Sequence, residues 1–536
     1  MYGLMQSHPL MIAKMLSHAA QNFAATEIVS RTGSQIVRYS YGEMAERARR
    51  LGSSLTDLGV NQGDMIGALA WTAHPLLEIV FAVPSTGAIL HTANPRSSLE
   101  HLRYTLDIAD CRIVFIDPDL VSLADEIGAV LDGAEMIVVL GNRGDAAATF
   151  RGREVLWSEE LIAEGDPHFV WPEFDENFAS GLCFTSGTTG KPKGVLYSHR
   201  ANVLAAFSIS HNHGWGISSD DTILALPNFH HANGWGVPFF AAMLGAKLVL
   251  PGRSMDSKSL HELIVGEGVT VTGGVPTIFL KLVDYCKETG QDLGCLNRIF
   301  FGGSSQPHGF AGLIKRDYDI TALNAWGMTE TTIACTMKVL DPSPEAAAQP
   351  RQSQGKPIFG VEIRVIGEDG KPQPRDGKSQ GRLQIRGPFI SGKYYRSDMP
   401  LAPEGWMETG DIAVISPDNE LRIMDRDKDV IKSGGEWISS LELEAAALKF
   451  PGVRDAAAIG VPHPKWIERP VLVIVGDKAV SADAMREHLA PMFPKFWLPD
   501  EIFIVESLPY SASSGKLQKE VLRAQYRDRN PPAQVA

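Results

Sequence analysis

The segment TSGTTGKPKG, at residues 185–194, is the most informative part of this sequence. Its glycines let the backbone approach an oxyanion closely. Its hydroxyl side chains offer hydrogen-bond donors, and they are Thr185, Ser186, Thr188 and Thr189. Two lysines, Lys191 and Lys193, add positive charge, so the segment has the groups that holding a polyphosphate requires.

This loop differs from a Walker A loop, which has four residues between its first glycine and Gly-Lys, followed by Ser or Thr. Here Gly187 and Gly190 are too close together, and Pro192 stands where the motif needs a hydroxyl residue. A flexible surface linker would have a similar composition. The run at 181–184 is strand-like, and the apolar residues 195–197 with Ser198 predict a helix-like flank after the loop. These ordered flanks, together with the sequence as a whole, favour a phosphate-binding loop over a linker.

Length and charge limit the possible classes of protein. The chain has 536 residues, more than one hydrophobic core usually supports, so two or more domains are expected. Its formal net charge of −13 repels phosphate backbones, so nucleic-acid binding is not expected.

The cysteines and the apolar stretches point to a cellular location. Five scattered cysteines without a CxxC pair predict neither a disulfide framework nor a structural zinc site. We expect no secretory signal at the N-terminus. The longest apolar stretches, 76–90 and 237–250, are too short to span a bilayer and each contains a charged residue. We therefore expect a cytoplasmic protein without a membrane span.

Short strand-like runs alternate with helical patterns along the chain, which predicts an α/β fold. Ser198 and Ser439 are placed to cap helices, the second of which should run through Leu448. Helical spacing relates Met485, Leu489 and Met492. The predicted strands are 298–303, 382–387, 420–424, 456–461, 471–475 and 501–505.

A charged segment with a Gly-Gly turn, residues 425–437, marks the predicted domain boundary. We predict a large N-terminal domain of α/β subdomains, 1–425, and a small α/β C-terminal domain, 426–536. About 110 residues are enough for an independent domain.

At this point the chain resembles the adenylate-forming superfamily of acyl-CoA synthetases, adenylation domains and beetle luciferase. TSGTTGKPKG is the signature loop of that superfamily. Further blocks follow in the family's order, at 227–236, 326–330, 409–411, 425–428, 433–437 and 514–516. SGGEWISS and GVPHPKW are most similar to the branch of fatty-acyl and methylmercaptopropionate CoA ligases.

The resemblance implies an AMP-forming acid–CoA ligase that uses ATP, Mg²⁺ and coenzyme A. A carboxylate attacks the α-phosphorus of ATP to give acyl-AMP, and the CoA thiol then displaces AMP. We expect a short- to medium-chain acid, a fatty acid or a methylmercaptopropionate-like acid. The alternatives are transfer to a carrier-protein phosphopantetheine, an aryl acid as substrate, and a non-catalytic nucleotide-binding regulator. A homodimer is a family expectation.

The resemblance also implies roles for individual residues. Lys516 is the main catalytic residue, carried by the mobile C-terminal domain, which turns about a hinge near Lys428. Thr329 and Glu330 act at the phosphates, and Glu330 holds Mg²⁺ together with Thr185. The implied ATP-binding residues are Thr185, Ser186, Gly187, Thr188, Thr189, Gly190, Lys193, Gly303, Ser304, Ser305, Asn324, Ala325, Trp326, Gly327, Met328, Thr329, Asp411, Arg426, Lys432 and Lys516. Trp326, where the family more often has Tyr, is expected to stack on adenine, and Asp411 and Arg426 to contact the ribose.

Two further sets complete the implied site. The residues implied to line the acyl pocket are His231, Trp235, Gly302 and Gly327, and Trp235 is expected to limit the depth of the pocket. An aromatic-His step at the pocket mouth gates the acid, and the sequence leaves open whether His230 or His231 does so. A zinc site at this His pair is disfavoured, because ligands at suitable spacing are lacking. CoA is expected at Ser433, Gly434, Gly435, Glu436 and Trp437.

Overall fold

Two mostly parallel sheets form the larger part of the computed structural model. It describes residues 1, 3–144, 149–185, 191–211, 213–303, 309–345, 353–397, 403–434, 436–477, 480–510 and 517–527. The chain has the predicted mixed α/β fold, with a large N-terminal domain and a smaller C-terminal domain.

The larger sheet has nine strands within these ranges. Its central strands are parallel and short, and runs such as RIFF are buried on both faces, as parallel sheets require. The strands, in spatial order, are Lys356–Pro357, Ala334–Val339, Thr321–Gly327, Arg298–Phe301, Val271–Gly274, Thr222–Leu224, Lys247–Leu250, Glu27–Thr32 and Gln35–Ser40.

The second sheet has seven strands in the described part of the chain. An antiparallel hairpin forms one edge, where Phe184 pairs with Gly194 and the segment between them contains the glycine-rich loop. The strands, in spatial order, are Gly194–Ser198, Ala179–Phe184, Ile89–Ala93, Met65–Leu69, Ile113–Ile116, Met136–Val139 and Leu156–Trp157. The flank before the loop is a strand, as predicted, whereas the flank after it is a strand, Gly194–Ser198, before the chain turns into a helix at His199.

Two smaller sheets follow. The first is antiparallel and contains Glu362–Ile366, Gly381–Arg386, Met407–Ile415 and Leu421–Arg426. The second forms the core of the C-terminal domain and contains Glu436–Ile438, Ile431–Ser433, Ile467–Gly476, Val453–His463 and Glu501–Val505. A short hairpin pairs Thr149–Phe150 with Arg153–Glu154. The predicted strands are all present, and the last one has the predicted bounds.

The helices cover the sheets. They are Ile12–Asn22, Tyr41–Asp57, His74–Ser85, Leu99–Ala109, Val121–Ile127, Ser158–Glu164, His199–Ser210, Ala232–Trp235, Val237–Leu244, Ser257–Gly266, Pro276–Thr289, Phe310–Tyr318, Ser440–Ala447, Ala482–Leu489 and Lys519–Tyr526. Short 3₁₀ turns lie at Pro118–Leu120, Gly128–Gly133, Thr329–Thr331, Pro403–Gly405 and Lys495–Trp497. Among the described residues, none of these helices has the length and apolar character that crossing a membrane needs.

Both predicted helix caps are present, whereas Met492, which was predicted to lie in a helix, lies outside it. Ser198 accepts from the backbone N–H of Ala201, and Ser439 accepts from that of Glu442. The second helix ends with Leu448 as its C-cap. The prediction for Met492 is wrong, because the helix ends at Leu489 and Met492 is exposed beyond it.

Candidate active site

The two ends of the glycine-rich loop are joined by backbone and side-chain hydrogen bonds. The Thr185 N–H donates to the Lys193 carbonyl at 2.9 Å, and the Lys193 N–H donates to Thr185 Oγ1 at 3.0 Å. The Lys193 ammonium lies 4.7 Å from the ring centroid of Tyr394. Five residues with predicted phosphate contacts lie outside the described residues: Ser186, Gly187, Thr188, Thr189 and Gly190.

Glu330 is held in a 3₁₀ turn that follows the strand Thr321–Gly327. It is 5% exposed, and Tyr394 Oη donates to its Oε1 at 2.6 Å. Tyr197 Oη donates to the Thr329 carbonyl at 2.6 Å. Burial raises the pKa of Tyr394, and Glu330 raises it further, so the phenol stays a neutral donor.

Tyr394 therefore joins two parts of the site that are far apart in the chain. It contacts the lysine of the glycine-rich loop and the carboxylate predicted to hold Mg²⁺. The next residue strengthens this junction, because the Tyr395 N–H donates to the Gly194 carbonyl at 2.8 Å. Tyr394 is not among the residues predicted from the sequence, because no spacing connects it to Lys193 or Glu330.

Asp411 lies in the strand Met407–Ile415, directly opposite Arg426 in the antiparallel pair. Arg426 Nε lies 3.0 Å from Asp411 Oδ1, and Trp326 Nε1 donates to Oδ2 at 3.2 Å. Burial raises the pKa of Asp411 to about 6, although Arg426 and Trp326 oppose this shift. The structure thus brings together the three residues predicted around the nucleoside, with Trp326 bonded to the carboxylate that is predicted to contact the ribose.

Glycines line the carboxyl edge of the larger sheet, where ligands of α/β folds bind. Gly302 follows the strand Arg298–Phe301, and a Cβ there would lie 2.8 Å from Trp235 Cη2. A Cβ at Gly327 would lie 2.5 Å from the Ile333 carbonyl oxygen. The backbone of Gly303 has a φ of +78°.

Five more of the residues predicted to bind the nucleotide either belong to this edge or lie outside the described residues. Asn324 and Ala325 lie in the strand Thr321–Gly327, and Met328 follows it. Asn324 pairs with Phe301 of the neighbouring strand, which places it beside the glycines. Ser304 and Ser305 lie outside the described residues.

Trp235 occupies a strained position above Gly302. Its φ of +56° lies between Gly234 at +65° and Gly236 at +76°, so three consecutive residues adopt the left-handed conformation. For a residue with a Cβ this conformation costs about 1–2 kcal/mol. The contact with Gly302 is consistent with the predicted role of Trp235 as a limit to the depth of the acyl pocket.

The adjacent histidines His230 and His231 differ in burial. His230 is 6% exposed and lines a small polar pocket with Thr185, His91 and His101, whereas His231 is exposed at the rim. Burial lowers the pKa of His230 well below its usual range, and His231 and Arg96 lower it further. Within the described residues, His230 Nδ1 has no hydrogen-bond partner. His230 thus places a neutral imidazole, whose Nδ1 is unpaired among the described residues, beside Thr185 of the glycine-rich loop.

The predicted CoA segment is a β-hairpin, with Ser433 paired to Glu436. Gly434 has a φ of +62°, its N–H donates to the Trp466 carbonyl at 2.9 Å, and a Cβ there would lie 2.9 Å from Trp466 Cε3. Trp437 packs against a small cluster of Ile412, Val414, Met424 and Val430. Gly435 lies outside the described residues.

Two lysines with predicted roles, Lys428 and Lys432, have acidic neighbours. Lys432 Nζ lies 3.4 Å from Asp427 Oδ1, and Lys428 Nζ lies 3.8 Å from Glu520 Oε1. Lys516 lies outside the described residues. The chain on either side of its segment is fixed by a β-bridge between Tyr510 and Leu517.

Lys519 is anchored three residues after Lys516. It is 8% exposed, and its Nζ lies 2.6 Å from both Glu444 Oε1 and Ser440 Oγ. The Ser440 hydroxyl in turn donates to Asp425 Oδ2 at 2.6 Å. A buried ion pair thus holds the start of the helix that follows Lys516.

The family model described as AMP-binding enzyme matches residues 16–395, and the AMP-binding enzyme C-terminal domain matches residues 442–516. The chain therefore belongs to the AMP-binding enzyme family. This confirms the prediction of an AMP-forming acid–CoA ligase that uses ATP, Mg²⁺ and coenzyme A.

Curated relatives match over nearly the whole chain. A 3-methylmercaptopropionyl-CoA ligase of Ruegeria lacuscaerulensis is 41% identical, covering 98% of this chain and 99% of its own. A medium-chain-fatty-acid–CoA ligase of Ectopseudomonas oleovorans is 38% identical with 98% of each chain covered. A long-chain-fatty-acid–CoA ligase of Thermus thermophilus is 39% identical, covering 98% of this chain and 97% of its own.

Solved structures share the fold. The anthranilate CoA ligase AuaEII in complex with anthranoyl-AMP has a TM-score of 0.83 at 22% identity, covering 97% of this chain and 98% of its own. ATP-bound MatB from Rhodopseudomonas palustris has a TM-score of 0.81 at 24% identity, covering 96% and 99%.

Proposed function

We propose that this ligase activates a short- to medium-chain carboxylic acid, either a fatty acid or a methylmercaptopropionate-like acid. The observation that carries the proposal is the contact of Trp235 with Gly302, which places an indole at the sheet edge where the acyl group would enter. Relatives named for methylmercaptopropionate, medium-chain and long-chain acids are all 38–41% identical in sequence to this chain. Sequence identity alone therefore does not indicate which of these acids it activates.

The first half-reaction needs charge stabilisation around the α-phosphate rather than a covalent protein nucleophile. In the proposal, the glycine-rich loop and Thr329 donate to the phosphates. Lys516 lies between the attacking carboxylate and the α-phosphate, where its ammonium offsets the charge that gathers in the transition state. Asp411 and Arg426 orient the ribose, and Trp326 stacks on adenine.

The environment of Glu330 fits a divalent cation. Tyr394 Oη donates to Oε1, and that bond does not engage Oε2. A buried carboxylate with a second oxygen suits a hard cation that is shared with phosphates. Glu330 and the Thr185 hydroxyl would hold Mg²⁺, which when bound supplies positive charge to the phosphates.

His230 is the better candidate for the gate at the pocket mouth. Its buried position beside Thr185 and its free Nδ1 support this choice, whereas His231 lies at the exposed rim. A neutral imidazole accepts or donates one hydrogen bond without introducing a charge into the pocket.

The second half-reaction is assigned to the C-terminal domain. We propose that rotation about Lys428 moves Lys516 away and brings the hairpin of Ser433, Gly434, Gly435, Glu436 and Trp437 to the pantetheine. Lys432 would meet a phosphate once it is released from Asp427. The division at 425/426, a homodimer and a cytoplasmic location are parts of the same proposal.

A panel of acids tests the substrate class. Purified protein is given ATP, Mg²⁺ and one acid at a time, from acetate to dodecanoate, with 3-methylmercaptopropionate and benzoate included. Pyrophosphate release without CoA measures the first half-reaction, and free CoA is then compared with a carrier protein as acceptor. We expect the highest kcat/KM for a short- or medium-chain acid with free CoA. A preference for dodecanoate or benzoate would contradict the proposed substrate class.

A further inference from the structure

A second tryptophan, Trp215, packs on the larger sheet near Trp235, although it belongs to a loop and not to a strand. The ring of Trp215 stacks on Phe300, with centroids 4.0 Å apart and planes inclined by 6°. It also contacts Phe240 of the helix Val237–Leu244, at a centroid distance of 5.3 Å. Trp215 is 2% exposed, so its indole is almost wholly buried.

A glycine makes room for this indole. Gly273 lies opposite Phe300 in the neighbouring parallel strand, and a Cβ there would lie 2.7 Å from Trp215 Cη2. Real side chains do not reach this separation, so any larger residue would push the indole away from the sheet. Gly302 has the same relation to Trp235. Two glycines on adjacent strands thus each receive one tryptophan.

The strand Arg298–Phe301 sets the order of the two indoles. Phe300 and Gly302 are two residues apart, and Gly302 continues the ladder by donating to the Gly274 carbonyl at 3.2 Å. Residues two apart in a strand face the same side, about 7 Å from each other. Trp235 therefore lies over the carboxyl edge, and the Phe300–Trp215 stack lies behind it, farther from the edge.

We propose that Trp215, backed by Phe300, is a second specificity-determining residue that sets the floor of the acyl pocket behind Trp235. This inference rests on the proposed function, because it takes the space over Gly302 as the entrance for the acyl chain. The acyl chain of the substrate contacts Trp235 first. When Trp235 is replaced by a smaller residue, Trp215 limits how far the acyl chain can enter. The acid that the site admits is therefore limited by two indoles in series.

The serial arrangement predicts a particular dependence between substitutions. Trp215→Leu alone leaves the chain-length preference unchanged, because Trp235 still closes the pocket. Trp235→Ala shifts the preference to longer acids until the chain meets Trp215. The double variant shifts it further, and each additional methylene admitted raises kcat/KM for the longer acid roughly tenfold.

The test measures kcat/KM for the acid panel in the wild type, the two single variants and the double variant. The readout is the ratio between acids, which does not depend on the fraction of folded protein. Trp157→Leu is the matched control, because Trp157 is equally buried in the other sheet. It should leave the ratio unchanged in both the wild-type and the Trp235→Ala backgrounds. A double variant with the profile of Trp235→Ala would overturn the inference.

A substitution at Gly273 tests the contact between this glycine and Trp215 without changing the tryptophan itself. Gly273→Ala should displace Trp215 into the pocket and, in the Trp235→Ala background, move the preference back toward shorter acids. Trp215→Phe should relieve that effect. No effect of Gly273→Ala on the ratio would overturn the inference even where Trp215→Leu fails to fold. If Trp235→Ala itself leaves the profile unchanged, the proposed pocket is misplaced, which is a separate failure.

Discussion

Replacing Tyr394 with phenylalanine removes the hydroxyl that donates to Glu330 Oε1 at 2.6 Å and keeps the ring beside Lys193. The substitution leaves a buried carboxylate without its donor. Hydrogen bonds to charged groups contribute about 1.5–3 kcal/mol. We expect this loss in the step that depends on the orientation of Glu330, which corresponds to a decrease of about 10- to 150-fold in rate.

The assay separates the two half-reactions. Pyrophosphate release with ATP, Mg²⁺ and acid measures adenylation, and thioester formation from supplied acyl-AMP and CoA measures the second step. Tyr394→Phe should slow the first step, raise the Mg²⁺ concentration needed for half-maximal rate, and leave the second step nearly unchanged. Tyr395→Phe is the matched control, since the backbone of Tyr395, not its hydroxyl, bonds to Gly194. An equal loss in both steps, or an unchanged Mg²⁺ requirement, would refute the role assigned to Tyr394.

Three more predictions follow from the site. Trp235→Ala should shift the preference among acids toward longer chains, and an unchanged kcat/KM profile would make Trp235 an ordinary core residue. Asp411→Asn should raise the free energy of unfolding at pH 7 by up to about 3 kcal/mol, because burial raises the pKa of Asp411 to about 6 and the ionised form is disfavoured in the fold. This gain should shrink as the pH falls from 6 toward 4, and urea unfolding of both proteins across that range checks it; a gain that persists at pH 4 would contradict it. Gly434→Ala, which places a Cβ 2.9 Å from Trp466 at a φ of +62°, should slow thioester formation more than pyrophosphate release, and the reverse order would remove this hairpin from the CoA step.

The features predicted correctly from the sequence are those that neighbouring residues determine. The strand before the glycine-rich loop follows from a short apolar run, and the caps at Ser198 and Ser439 follow from a hydroxyl three residues before its donor. The strand Glu501–Val505 has the predicted bounds, because it too is a short, largely apolar run. The family's motifs added the residues predicted to surround the nucleotide, of which Trp326, Asp411 and Arg426 do lie together.

The features that the sequence did not reveal depend on contacts between distant residues. Tyr394 bonds to Glu330 across 64 positions, and Trp215 stacks on Phe300 from a loop on a different part of the chain. The difference between His230 and His231 is one of burial, which a pair of adjacent histidines does not show in sequence. The strand Leu421–Arg426 continues past the predicted Met424, because Arg426 pairs with Asp411.

The central claim is that a lysine of the C-terminal domain offsets charge at phosphorus during adenylation and takes no part in thioester formation. Lys516→Ala tests it when pyrophosphate release and thioester formation from supplied acyl-AMP are measured on the same protein, with Lys519→Arg as a variant that keeps the nearby buried charge. A decrease of about 100-fold or more in the first rate with the second rate nearly intact is the predicted result, since positioned charges at transferring phosphoryl groups contribute that much. Equal decreases in both rates, or no decrease in the first, would contradict the claim.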